Sequence, residues 1–303
     1  MSALETADRQ EGELAEAKSA RLKDKIASLR DQMRKFKELE VAVEAAADKQ
    51  ISLTDPDARS MATSGKGTGV VGYNVQTAVD TQHHLIVAHD VTNIGNDRGQ
   101  LSTMAKEAQA AMGASDLTAI ADRGYFKSDE IRACEAADVT PMVPKPLTSG
   151  AKADGRFGKP DFIYDPEEDA YHCPGGETLT RRYTSVEDGL TLHCYWTSKC
   201  AGCALKPQCT TSGERRVKRW EHEAILDAMQ ERLDPAPETM RIRRQTVEHP
   251  FGTMKAWMGA THFLTRTLEK VRTEMSLQVL AYNLKRVIAI LGVGPVIQAV
   301  RAA

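Results

Sequence analysis

Leu117-Thr118-Ala119-Ile120-Ala121-Asp122-Arg123-Gly124-Tyr125 passes from a short, mainly apolar run into an acid, a cation and a glycine. An apolar run of this length between turn residues reads as a buried strand. The strand ends at Asp122. Ser128 is placed to cap a following helix, with Asp129 and Glu130 in its first turn. Val139-Thr140 and Met142-Val143 are split by Pro141, which leaves a short edge strand.

Upstream, Ile51-Ser52-Leu53-Thr54-Asp55 alternates apolar and polar residues, the pattern of a short strand ending at Asp55. Asp55-Pro56 and the run Ser64-Gly65-Lys66-Gly67-Thr68-Gly69 make a turn and a glycine-rich loop. Tyr73, Val75, Thr77 and Val79 alternate with polar or small residues as a half-buried strand, and Leu85 to Val91 is its return. Asp97 to Met112 reads as a helix stopped by Gly113. Three strands, a helix, a strand, a helix and a strand make an α/β layer domain.

Four regions follow from this pattern. Residues 1–50 form a charged helix, 51–145 the first α/β part, 146–215 a cysteine-rich segment, and 216–303 a helical part broken at Asp234-Pro235 and Gly259. In the first region Leu22, Ile26, Leu29, Met33 and Phe36 recur in steps of four and three, a coiled-coil-like stripe. Such a stripe packs either on its own domain or on a partner, and a homo-oligomer is the simplest partner.

The chain has 303 residues, 41% of them hydrophobic and 27% charged, with a net charge of −2. That balance suits a soluble protein with a real core and gives no global field for nucleic acid, so any DNA contact must come from local basic stretches. The start carries no apolar signal segment, and Val287 to Leu291 is too short to cross a bilayer. A cytoplasmic protein without a membrane partner is expected, in which the six cysteines are reduced thiols or metal ligands.

Asp55 and Asp122 each end a candidate strand, where α/β sheets present ligand groups, although Asp also starts turns at such places. Arg244, Glu248, Phe251 and Lys255 are spaced four, three and four, so they share a helical face. Arg244 and Glu248 alone suit a surface ion pair. Pro250 and Gly252 within the same helix carry a stability cost that a merely solvated face has no reason to bear. Arg215-Arg216-Val217-Lys218-Arg219-Trp220 and Arg241-Ile242-Arg243-Arg244 pack cations closely, as solvated faces or as phosphate contacts beside Glu248. Cys200-Ala201-Gly202-Cys203 has the spacing that lets two thiolates reach one zinc, and Cys209 and Cys173 complete a set of four. The other reading is reduced cysteines without metal. Cys134 and Cys194 read as small core residues.

Together these motifs resemble those of insertion-sequence transposases of the DDE superfamily. Arg244, Glu248 and Lys255 match the glutamate signature, Arg-x3-Glu-x6-Lys. Asp122-Arg123-Gly124-Tyr125 matches the second-aspartate motif, Leu53 to Arg59 the segment that opens the catalytic domain in one subgroup, and Gly72 to Asp80 the strand after it. One departure is Arg241, where the signature usually has Tyr. The resemblance implies a ribonuclease-H-like mixed sheet with helices, with the cysteine module inserted between the second aspartate and the glutamate. It implies that Asp55, Asp122 and Glu248 hold two magnesium or manganese ions, about 4 Å apart in such sites. Asp57 and Asp80 are the alternatives for the first aspartate. Arg244 and Lys255 are expected to hold the scissile strand or steer the carboxylates, and Arg241 and Arg243 to contact DNA. The implied partners are transposon ends and target DNA. No helix-turn-helix stands at the start, so a DNA-reading part is expected to be missing. The other function class is a non-catalytic remnant that binds DNA, or binds full-length transposase as an inhibitor.

Overall fold

The computed structural model describes residues 2–61, 69–146 and 150–302, so Ser64 to Thr68 of the expected glycine-rich loop lie outside it. In chain order the elements begin with α1 (Ser2–Ala45), β1 (Arg59–Met61), β2 (Val70–Gly72), β3 (Asn74–Val79), β4 (Ile86–Thr92), α2 (Leu101–Met112), β5 (Leu117–Ile120), α3 (Ser128–Glu135) and β6 (Val139–Met142). They continue with β7 (Ile163–Asp165), β8 (Ala170–His172), β9 (Thr178–Glu187), β10 (Leu190–Trp196), α4 (Lys206–Cys209), β11 (Val217–Trp220), α5 (Glu223–Leu233), α6 (Thr239–Ala256), α7 (Leu268–Leu291) and α8 (Val293–Ala302). The chain divides into two compact units, residues 1–74, 91–95 and 263–274, and residues 75–90, 96–262 and 275–303.

In the first unit α1 is one continuous helix, as its sequence leads one to expect. Leu22, Ile26, Leu29, Met33 and Phe36 are all exposed. Among the described residues nothing covers the stripe. β1 and β2 pair antiparallel, with Arg59 opposite Gly72 and Met61 opposite Val70. The strand expected at Ile51–Asp55 does not form. Side chains there bond to nearby backbone instead: the Asp55 amide donates to Ser52 Oγ at 3.3 Å, and the Asp57 amide to Asp55 Oδ1 at 3.2 Å. Such local bonds compete with a ladder and favour a turn.

β3 pairs with β4, and in the second unit β5 pairs with β6. The β5–β6 pair is parallel, Leu117 opposite Val139 and Ile120 opposite Met142. Each pair is a separate two-stranded ladder, where the sequence leads one to expect a single mixed sheet. The Asp80 carboxylate closes the β3–β4 turn by accepting the amides of Gln82 at 2.9 Å and His83 at 2.7 Å. α2 starts at Leu101 rather than Asp97 and ends at Gly113, whose φ of 60° suits a residue without Cβ. Ser128 is the first residue of α3, and its neighbour Lys127 occupies the cap position.

Burial follows chemistry. Leu101, Ala105, Ile131, Cys134, Val139, Val143, Trp220, Leu226 and Met229 form one apolar core from α2, α3, β6, β11 and α5. Cys134 and Cys194 are fully buried, as small core residues should be. A second core of Phe162, Tyr171, Leu179, Tyr195 and Val217 lies under a five-stranded sheet ordered β11-β10-β9-β8-β7. β11 belongs to that sheet although it lies beyond residue 215. On α7, Asn283 Oδ1 accepts the Ile86 amide at 3.0 Å and its Nδ2 donates to the Ile86 carbonyl at 2.8 Å. One side chain thus satisfies both backbone groups of Ile86 in β4. No single helix among the described residues is long and apolar enough to cross a membrane.

Candidate active site

β5 delivers Asp122. The Ala121 amide donates to the Met142 carbonyl at 3.2 Å, which carries the parallel pairing one residue past the strand. Asp122 then caps a single turn of 3-10 helix over Arg123–Tyr125, and its Oδ1 accepts the Gly124 amide at 2.8 Å. Its Oδ2 pairs with Arg243 Nη2 of α6 at 2.7 Å. An ionised carboxylate accepts at about four lone-pair sites. Protein donors take two of them here, and the side chain is 45% exposed.

A second carboxylate stands beside it. Asp97 precedes α2, and its carbonyl accepts the Gln100 amide at 3.1 Å. Its Oδ1 accepts from Gln76 Nε2 at 2.7 Å, and the Tyr125 hydroxyl donates to Gln76 Oε1. Because Tyr125 occupies the amide oxygen, the Gln76 amide nitrogen must face Asp97. Burial, then the charges of Asp97 and Asp122, push the Tyr125 pKa up, so the hydroxyl stays a donor. A Cβ at Gly124 would lie 3.0 Å from Asp122 Oδ1 and 3.5 Å from Asp97 Oδ2. The glycine keeps open a space that both carboxylates face.

The glutamate helix is α6, which runs unbroken through Pro250 and Gly252. Thr239, Thr246, Pro250 and Met254 are its buried residues, and Arg243 lies on the same stripe. Neighbouring residues on a helix are about 100° apart. Arg244 is therefore turned away from Asp122 and is exposed, as are Arg241, Glu248 and Lys255. Lys255 Nζ lies 5.9 Å from the Phe251 ring centre. α6 packs against β5, and Arg243 ties it to Asp122. Among the described residues, no three donors from Asp97, Asp122 and Glu248 come within 4.8 Å of one another; only Asp165, Glu168 and His172 do. Asp165 there accepts the amides of Glu167 and Glu168, which is turn chemistry.

Arg215 to Arg219 do not form an open basic strip. Arg216 pairs with Glu214 at 2.8 Å, Lys218 with Glu187 at 2.5 Å and Arg219 with Asp227 at 2.8 Å, while Arg215 stacks on Phe162. Glu187 lies on β9 and Asp227 on α5, so Lys218 and Arg219 tie β11 to its neighbours.

Asp55, in the first unit, is engaged differently. Oδ1 accepts the amides of Asp57 at 3.2 Å and Thr267 at 3.2 Å, while Oδ2 accepts the Tyr73 hydroxyl at 2.8 Å and the Thr267 amide at 3.3 Å. Asp57 Oδ2 accepts the Leu268 amide at 2.8 Å. The two aspartates thus satisfy donors at the start of α7, where negative charge also suits the helix dipole. Burial pushes the Asp55 pKa up, but the Tyr73 bond, the two amides and Arg266 outweigh it, and it ends below its ordinary value. Asp80 is likewise lowered: burial raises it, and the amides of its turn outweigh burial.

The family model described as transposase DDE domain matches residues 42–284. The chain belongs to this family. No curated protein and no solved structure matched the chain. Transposases of the DDE kind act on DNA and use divalent metal. In this DDE domain, hard cations call for oxygen donors, and the two carboxylates facing the space at Gly124 fit such an ion.

The cysteine-rich segment of the DDE domain also brings its expected residues together. Cys173, Cys200, Cys203 and Cys209 line one cavity with Lys199, Lys206 and Arg215. A Cβ at Gly175 would lie 3.3 Å from Cys203 Sγ and 3.6 Å from Cys173 Sγ. The Glu177 amide donates to Cys173 Sγ at 3.4 Å. Burial pushes the Cys209 thiol up, Arg215 opposes it, and Cys200, Cys173 and Cys203 add to the rise. His172 and His193, in the same segment, bond to Thr178 and Thr184.

Sequence reasoning missed Asp97 and Gln76. One signal for Asp97 was present: Asp97-Arg98-Gly99 repeats the Asp-Arg-Gly of Asp122-Arg123-Gly124.

Proposed function

We propose that this DDE domain catalyses metal-dependent cleavage and strand transfer of DNA in a ribonuclease-H-like core. The observation that carries the reading is Asp122, held at the end of a parallel strand by the Gly124 amide and by Arg243 of the glutamate helix. Asp122 and Glu248 are metal-binding carboxylates in this reading. Asp55 carries the first-aspartate motif by sequence, but the Tyr73 hydroxyl and the Asp57 and Thr267 amides engage both its oxygens, so this reading gives it a structural part. Magnesium or manganese, when bound, supplies activation of an attacking oxygen and charge stabilisation at phosphorus.

The protein's own part is positioning. Arg243 holds the second Asp122 oxygen, and the Gly124 amide fixes the first. Arg244, Arg241 and Lys255, exposed on or beside the Glu248 flank, bind phosphates of transposon-end or target DNA. Cys173, Cys200, Cys203 and Cys209 hold one structural zinc, whose thiolate charge Lys199, Lys206 and Arg215 offset. Metal analysis near one zinc per chain, lost on Cys200→Ser, supports that centre; zinc-free protein that folds no differently with added zinc rejects it.

The deciding experiment incubates terminal-repeat duplex with the full chain and magnesium or manganese, beside Glu248→Gln. Cleavage that disappears in the variant while binding persists supports the enzyme. Binding without cleavage by the unaltered chain supports the non-catalytic reading.

A further inference from the structure

Asp97 is tethered more tightly than a turn requires. Its carbonyl already makes the turn bond to Gln100. Its side chain is held separately by Gln76, which is buried at 1% exposure in β3. Placing an amide at such a site has value only if both its ends are bonded, and Tyr125 satisfies the other end. The chain Tyr125–Gln76–Asp97 therefore fixes one oxygen of Asp97 and directs Oδ2 to the space at Gly124. Asp122 Oδ1 faces the same space. Two carboxylates from separate parts of the fold meet across a residue that has no side chain. Arg243 offsets the Asp122 charge from the Oδ2 side; the side at Gly124 presents two carboxylate oxygens, the donor type that hard cations take.

We propose that Asp97 is a further metal-binding carboxylate of this domain, sharing one divalent, oxygen-preferring cation with Asp122. Gln76 and Tyr125 are its positioning residues. The inference rests on the reading of Asp122 as a metal ligand. It assigns Asp97 a role beyond the three carboxylates that the motifs name.

Manganese affinity, measured by electron paramagnetic resonance on the full chain, tests it without DNA or turnover. Asp97→Asn and Asp122→Asn should each weaken Mn2+ binding about tenfold or more, with circular dichroism unchanged. Normal binding by Asp97→Asn beside lost binding by Asp122→Asn overturns the proposal and leaves the reading of Asp122 standing. Normal binding by both overturns the two together. Should Asp97→Asn not fold, iron-directed cleavage of the unaltered chain replaces it. With Fe2+, ascorbate and peroxide, cuts are expected around both Asp97 and Asp122. Cuts around Asp122 with none around Asp97 overturn the proposal.

Discussion

Asp122 and Asp55 are both acids that the sequence places in motifs of one family, yet the fold treats them in opposite ways. Protein donors make four contacts to the Asp55 oxygens and two to those of Asp122. Asp55 is 9% exposed, and the Asp122 side chain is 45% exposed. A carboxylate with every acceptor site taken holds backbone in place. One with sites left over and a second carboxylate nearby is equipped to take a ligand. A motif names the residue type, and the count of donors around it separates these two tasks.

Gly124 gives the largest expected effect. Its replacement by Ala puts a methyl 3.0 Å from Asp122 Oδ1. DNA cleavage should fall on the order of a hundredfold, about 3 kcal/mol, while thermal melting hardly moves because Gly124 is exposed. A variant that cleaves normally would show that the space between the carboxylates is not used.

Asp55→Ala should act in the other direction, on stability. Loss of charge-assisted bonds to Tyr73, Asp57 and Thr267 is expected to cost about 2 kcal/mol in denaturant melts. Asp57→Ala, which removes one bond to the Leu268 amide, should cost about 1 kcal/mol. An Asp55 variant of unchanged stability would break the contrast, since its three donors would then hold nothing that matters.

Acidity sharpens the same point. The folded-state pKa of Asp55 lies below its ordinary value of 3.8. Its contribution to stability is therefore fully present above that value and is lost as pH falls through the lowered one. The stability gap between the unaltered chain and Asp55→Ala should be the same at pH 7 and pH 5 and shrink below the ordinary value. A gap that grows on acidification contradicts the direction of the shift.

The smallest effects belong to the exposed cations. Arg244→Ala and Lys255→Ala should each weaken DNA binding with little sequence preference and reduce the salt slope by about one. Lys218→Ala should leave it alone, because Lys218 is spent on Glu187. An equal effect at all three would dissolve that distinction.

What the sequence made legible was local. The strand at Leu117–Ile120, the turn at Asp122–Tyr125, the helix through Pro250 and the cysteines at 200, 203 and 209 follow from patterns within a few residues of each other. What it hid depended on competition or on distance. Ile51 and Leu53 alternate as a strand does, but Ser52 and Asp55 bond to their own backbone and win. Arg243 and Arg244 are adjacent in sequence, and only the buried stripe of α6 shows that Arg243 meets Asp122. Arg219 looks available for phosphate until Asp227 is seen beside it. Asp97 passes for the first residue of a helix, and only Gln76, from β3, shows that its side chain is held in place.

Single-turnover cleavage of a transposon-end duplex by Asp122→Asn, set beside the unaltered chain in magnesium and in manganese, tests the central claim most directly. Cleavage is expected to fall on the order of a thousandfold or more in both metals, with DNA binding and thermal melting kept. An Asp122→Asn protein that cleaves at the unaltered rate would contradict it, and the site would have to be sought away from the end of β5.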